Sequence, residues 1–179
     1  MSKFEIIKGS CVNQNVDAIV NAANGNMSHG AGVAKAILDK AGQTELNEAC
    51  SKYDLPIKDG EVIVTPAFNI KNSKIIIHAV GPNFGVTPRA FKELFNAYYN
   101  SLIALKDHNY HTISFPLISS SIFGGALQNA VGESTKQCIR AYKKFIEDYS
   151  DYDIEVKLCA YNDNEYTEAM NEFNKNITS

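Results

Sequence analysis

Apolar positions along the chain switch between short β-branched runs and longer stretches of helical period. The short runs fall at residues 4–8, 18–22, 61–65, 74–80, 112–116 and 154–161. Ile75-Ile76-Ile77 is continuous rather than alternating, as expected of a strand buried on both faces. Helical periods lie between them. Val33, Ile37 and Ala41 recur every fourth residue and stop at Gly42, and a second helix is predicted over 43–52. Phe91, Leu94, Phe95, Tyr98, Leu102 and Leu105 mark one face of a long helix, on which Tyr98 and Tyr99 read as core residues. Leu127, Val131, Ser134, Cys138, Tyr142, Phe145 and Tyr149 mark another, and Tyr166, Met170 and Phe173 a short last one. The tail from about Asn174 is expected to fray. This alternation predicts an α/β fold, a three-layer α/β/α sandwich around a central mixed sheet of about six strands, as a single domain over 1–179. In such folds ligands bind beyond the carboxyl ends of strands, so the loops that follow strands are where chemistry is to be sought.

Composition narrows the function classes. The chain has 179 residues, enough for one domain with a full core. A formal net charge of −3 argues against a broad nucleic-acid or membrane surface. It does not argue against a small anion, which backbone N–H groups hold without Lys or Arg. No apolar run approaches membrane-spanning length, and the polar Met1–Lys8 stretch is not a signal peptide. Cys11, Cys50, Cys138 and Cys159 are scattered without a C-x-x-C pair, so neither a disulfide framework nor a zinc site is expected. His108 and His111 have H-x-x-H spacing but no third ligand in the sequence, and read as a surface turn. The expectation is a monomeric cytoplasmic protein with reduced thiols and no metal or cofactor.

Two loops stand out. After the strand ending at Val20, Asn21-Ala22-Ala23-Asn24 leads through Ser28-His29-Gly30-Ala31-Gly32 into a helix beginning near Val33. A strand, a polar bend and a helix N-terminus together aim N–H groups and a helix dipole at an anion. An Asn at a strand end can both donate to and accept from a ribose hydroxyl. A G-x-G-x-x-G dinucleotide fingerprint fails here, because Lys35 stands where its third small residue belongs, and no Gly-Lys-Ser/Thr phosphate loop exists. The second loop runs from Pro116 through Leu117, Ile118, Ser119, Ser120, Ser121, Ile122 and Phe123 to Gly124-Gly125, and offers another nest of backbone N–H groups. The two loops are expected to form two lips of one cleft.

Val16-Asp17-Ala18-Ile19-Val20-Asn21-Ala22-Ala23-Asn24, His29-Gly30-Ala31-Gly32-Val33-Ala34, His78-Ala79-Val80-Gly81-Pro82 and Ile122-Phe123-Gly124, in that order, resemble the macrodomain family over nearly the whole chain. The first loop is similar to that of the viral branch and its relatives. The resemblance implies ADP-ribose binding and hydrolysis of mono-ADP-ribose esters on acidic side chains of proteins. The alternative is a reader that binds ADP-ribose or ADP-ribosylated protein without turnover. By position, Asn24 would hold the distal ribose, and Gly30, Ala31, Gly32 and Val33 would line the ribose and diphosphate. Ser119, Ser120, Ser121, Ile122 and Phe123 would cradle the diphosphate, with Phe123 against the ribose, and Leu117 and Gly124 are flanking ligand-binding candidates. Tyr161 would stack on adenine, with Asn162 following it, and Ser10, Cys11, Ala23 and Ala160 are further ligand-binding candidates.

Four departures from the family pattern follow. Ser10 stands in place of an Asp that accepts from the adenine amino group, so charge assistance is absent there. Ala31 replaces a glycine, which opposes any need for φ > 0. Ser121 replaces another glycine. Ala34 stands where some members carry an Asp, so no general base is expected at that point. A water held by the substrate's own phosphate would then attack the anomeric carbon, with Asn24 and Phe123 fixing the ribose and His29 a candidate for proton transfer.

Overall fold

The computed structural model describes residues 1–177. The chain runs β1 (Lys3–Lys8), β2 (Ala18–Ala23), α1 (Gly32–Ala41), α2 (Gln43–Ser51), β3 (Val62–Pro66), β4 (Ile75–Val80), α3 (Phe91–Asp107), β5 (Thr112–Phe115), α4 (Ala130–Asp148), β6 (Glu155–Ala160) and α5 (Asp163–Ile177), with single 3-10 turns at Cys11–Asn13 and Ile122–Gly124. The sheet order is β1-β6-β5-β2-β4-β3. Only β3 runs antiparallel, so β1, β6, β5, β2 and β4 all deliver their carboxyl ends to one edge. That direction gathers the loops after Ala23, Val80, Phe115 and Ala160 on one side of the molecule.

Strand residues alternate between two cores. Ala18, Val20, Ile75, Ile77 and Ala79 face α3, α4 and α5, where Leu94, Tyr98, Leu102, Phe145 and Ala169 pack. Ile19, Ala23, Ile76 and Val80 face α1 and α2, meeting Ile37, Ala41, Leu46 and Cys50. Both faces of the sheet are covered, which is why the Ile75–Ile77 run carries no polar position.

Two helix ends differ from expectation. The period of α4 predicts a start at Leu127, but the helix begins at Ala130, because the Asn129 side chain accepts from the Gly132 N–H at 2.9 Å and caps it there. Leu127 packs on the core from the preceding turn. The last helix is not short and does not fray at Asn174: α5 spans 15 residues to Ile177. Two side chains cap its start: the Glu165 N–H donates to Asn162 Oδ1, and the Tyr161 N–H donates to Glu165 Oε1. Phe173 stacks on Phe4 of β1 at 5.8 Å, and Lys143 donates to the Asn176 carbonyl at 2.7 Å. The rest of the expected tail, Thr178 and Ser179, lies outside the described residues.

Candidate ligand-binding cleft

The two loops that follow β2 and β5 face each other because these strands are neighbours and parallel. Between them lies a cleft of about 420 Å³, within the roughly 300–1,000 Å³ of small-molecule sites. Ala22, Ala23, Asn24, Gly30, Ala31, Gly32, Val33 and Ala34 form one wall. Leu117, Ser119, Ser120, Ser121, Ile122 and Phe123 form the other, with Gly81 between. No charged side chain lines the cleft among the described residues, so its capacity for an anion rests on backbone N–H groups.

The first wall is set by a glycine and an asparagine. Gly32 adopts φ +62° as α1 begins, and no side chain caps that helix, which leaves its first N–H groups available at the cleft. Ala31 is extended at φ −159°, a conformation open to any residue, so alanine there imposes no strain. The amide of Asn24 is largely committed to its own turn. Its Nδ2 donates to the Ser28 carbonyl and hydroxyl, each at 2.9 Å, and its Oδ1 accepts from the Ser28 N–H at 3.0 Å. Its remaining capacity is one lone pair on Oδ1, which suits it to accept from a ligand hydroxyl rather than donate to one.

The second wall is held from behind by residues whose periodicity gave only burial. The Ile118 N–H donates to the Tyr98 hydroxyl at 3.0 Å, Tyr98 and Ser134 hydroxyls meet at 2.6 Å, and Ser134 donates to the Ile118 carbonyl at 2.6 Å. With the Ser134 proton spent on Ile118, the Tyr98 proton goes to Ser134, and a closed ring ties the loop to α3 and α4. Ser119 sits at φ +58°, unusual for a residue with a side chain, and its hydroxyl donates to the Pro82 carbonyl at 2.7 Å. A Cβ on Gly81 would strike Ile118 and that hydroxyl, so the loop's close approach requires glycine at 81. Ser120 donates to the Leu117 carbonyl at 2.8 Å. Ser121 and Ile122 are exposed at the lip, Ile122 at 82%. The Phe123 carbonyl accepts from the Phe84 N–H at 2.8 Å, which fixes the half-buried ring between the cleft and a second cavity of about 240 Å³. Gly124 is buried just beyond, with Ala130 so near that a Cβ would collide.

The second cavity shares Asn24, Gly81 and Phe123 with the cleft and adds Asp59. Burial, and then the neighbouring charge of Glu93, raises the Asp59 carboxyl above its ordinary value. The sequence offered no sign of this group beside the site.

The remaining candidates lie elsewhere. Ser10, Cys11, Ala160, Tyr161 and Asn162 stand at the carboxyl ends of β1 and β6, outside the lining of the cleft. The Ser10 hydroxyl accepts from the Val12 N–H at 3.3 Å, capping a 3-10 turn. The Cys11 thiol is buried and donates to the Val20 carbonyl, and Ala160 has no exposed surface. Tyr161 is 76% exposed. Asn162 caps α5. His29 is buried behind the first loop rather than in the cleft, among Asn21, Cys50 and His78. Burial holds its imidazole below the ordinary histidine value, which weakens it as a proton carrier. His108 and His111 do not converge: each ring nitrogen Nδ1 meets a different backbone carbonyl, of Ala104 and Asp153. No described helix is long and apolar enough to cross a membrane.

Comparison with known proteins gives the same frame. The chain is 36% identical over 162 residues to an uncharacterized protein of Thermotoga maritima, covering 88% of this chain but only 26% of that longer one. It is 34% identical to a macro domain-containing protein of Caldanaerobacter subterraneus subsp. tengcongensis, covering 97% of this chain and 98% of the relative. A solved Oceanobacillus iheyensis macrodomain with ADP superposes with TM-score 0.83 at 29% identity, covering 98% of this chain and 92% of that one. A variant of it with ADPR gives the same score and identity. The Macro domain family pattern matches residues 20–134, and the chain belongs to the macrodomain family.

Proposed function

We propose that this protein binds ADP-ribose in the cleft between the β2 and β5 loops and hydrolyses mono-ADP-ribose esters on acidic side chains of proteins. The observation that carries the reading is the pairing of two loops rich in backbone N–H groups over adjacent parallel strands, with no charged side chain between them. A diphosphate is satisfied by such N–H groups and by the dipole of α1. Asn24 accepts from a hydroxyl of the distal ribose, and Phe123 sets the ribose face. Water attacks the anomeric carbon, the carbon–oxygen bond to the protein carboxylate breaks, and that carboxylate leaves with the bonding pair. The proton lost by the water passes to a phosphate oxygen of the ligand or to Asp59, a carboxylate in the cavity next to Asn24 and Phe123. Catalysis then rests on positioning and on electrostatics more than on a strong base.

Calorimetric titration with ADP-ribose, ADP and NAD tests the binding half, and ADP-ribose is expected to bind most tightly. Incubation with a protein mono-ADP-ribosylated on Glu or Asp tests the chemistry by loss of label. Binding without turnover would make the protein a reader, and no binding would end the reading altogether. Asn24→Ala is expected to lower turnover at least tenfold.

A further inference from the structure

Asn21 and His78 are register partners on β2 and β4, and both side chains point to the face covered by α1 and α2. Cys50, near the end of α2, lies on that face, and His29 folds down onto it from the cleft loop. One ring nitrogen of each histidine and the Cys50 Sγ lie within 4.8 Å of one another, and all three residues are buried. His29 Nε2 and Cys50 Sγ are 3.8 Å apart. Tetrahedral zinc, with bonds of about 2.0 and 2.3 Å to nitrogen and sulfur, sets such a pair roughly 3.5 Å apart. A second observation points the same way. Asn21 has no exposed surface; its Nδ2 lies 3.0 Å from His78 Nδ1 and 3.5 Å from His29 Nδ1, while its Oδ1 has no partner. A buried amide oxygen without a partner is rare in folded proteins. In the structure the amide nitrogen, not this oxygen, faces the two rings, and a half-turn that exchanges the two is needed to bring the oxygen to an ion there.

We propose that Asn21, His29, Cys50 and His78 form a binding site for a divalent ion of the zinc type, behind the cleft rather than in it. Two imidazoles and a thiolate suit zinc in preference to calcium or magnesium, with Asn21 Oδ1 as the fourth donor. The second shell is in place for one ligand: His78 Nε2 lies 2.9 Å from the Thr65 hydroxyl, which leaves Nδ1 for the ion. Closing the set requires separations of up to 4.8 Å to shorten by as much as about 1.3–1.5 Å toward zinc geometry. Binding breaks the Cys50 S–H bond and releases its proton to solvent, and both imidazoles enter neutral. Because that proton is released on binding, affinity increases with pH. The ion would tie β2, β4 and α2 to the loop that ends at Gly30, and so stiffen one wall of the cleft.

The test uses the full chain, stripped with chelator and titrated with cobalt(II) and then zinc(II). One equivalent of cobalt is expected to give thiolate-to-metal charge-transfer absorption with the intense visible bands of a tetrahedral site. Zinc should displace it and raise the melting temperature. Cys50→Ser, with an unchanged far-ultraviolet circular dichroism spectrum, should lose the charge-transfer band and bind zinc at least tenfold more weakly. Should that variant not fold, His29→Gln, a change in the loop, is expected to bind zinc at least tenfold more weakly. The proposal is overturned if the wild-type chain forms no one-to-one complex, if the complex carries no thiolate band, or if zinc affinity survives either substitution. ADP-ribose binding enters none of these readouts, so the site stands or falls apart from the proposed function.

Discussion

Removing one oxygen atom, in Tyr98→Phe, probes how the second loop is held. The ring is buried, and its hydroxyl accepts from the Ile118 N–H at 3.0 Å and meets Ser134 at 2.6 Å. The substitution keeps the aromatic packing on Phe115, 5.2 Å between ring centres, but leaves the Ile118 N–H without an acceptor. An unsatisfied buried donor costs about 1–3 kcal/mol. For a chain of this length each kcal/mol moves the melting temperature by roughly 2–4 °C, so a drop of about 2–12 °C is expected. Denaturant unfolding should shift its midpoint with an unchanged slope, since the surface exposed on unfolding is the same. ADP-ribose affinity should fall as well, because Ile118 leads directly into Ser119 and the proposed phosphate cradle. Ser134→Ala breaks the same ring, so the double variant should be less destabilised than the sum, with a coupling of about 0.5–3 kcal/mol. A melting temperature within a degree of wild type, or strict additivity, would refute the ring as the anchor of the loop.

Acid should weaken the fold well above the carboxylate range. Burial, and then the charge of His29, lowers His78 from 6.5 to about 3, so between these values the unfolded chain binds a proton that the folded chain refuses. Stability measured in chelator should therefore fall by about 2 kcal/mol from pH 7 to pH 5, and a flat profile would contradict a neutral buried His78. Gly32→Ala places a side chain at φ +62° and is expected to cost about 1–2 kcal/mol and reduce ADP-ribose affinity, whereas Ala31→Gly, in extended backbone, should leave affinity unchanged; calorimetry separates the two. Gly81→Ala drives a methyl group into Ile118 and Ser119 and should weaken ADP-ribose binding at least tenfold, measured by the same titration. Asp59→Asn should leave ADP-ribose binding intact and lower the rate of ester hydrolysis, and an unchanged rate would remove Asp59 from the reaction.

Periodicity carried most of the fold. The six strands and the long helices were legible because burial on one or both faces writes itself into the spacing of apolar residues, which is a local property. The two loops that bound the cleft were legible for a related reason: Asn, Ser and Gly in short order after a strand mark where the chain leaves the sheet. What stayed hidden depended on partners distant in the chain. Tyr98 and Ser134 read as core positions, and only the crossing of α3 and α4 beneath Ile118 made them the anchor of a loop. Ala31 looked like an obstacle until its backbone proved extended and Gly32 carried the positive φ. The reach of α5 past Asn174 was set by its seat on β1 and α4, which its own sequence does not record. His29 seemed a loop residue, and Cys50 one of several scattered thiols. The register of β2 against β4, which sets Asn21 beside His78, and the seating of α2 on that face of the sheet brought the four together. Sequence period determines which residues turn inward. Strand order, register and helix seating determine which of those inward residues meet, and in this chain that meeting sets both the anchor of the cleft and the buried cluster behind it.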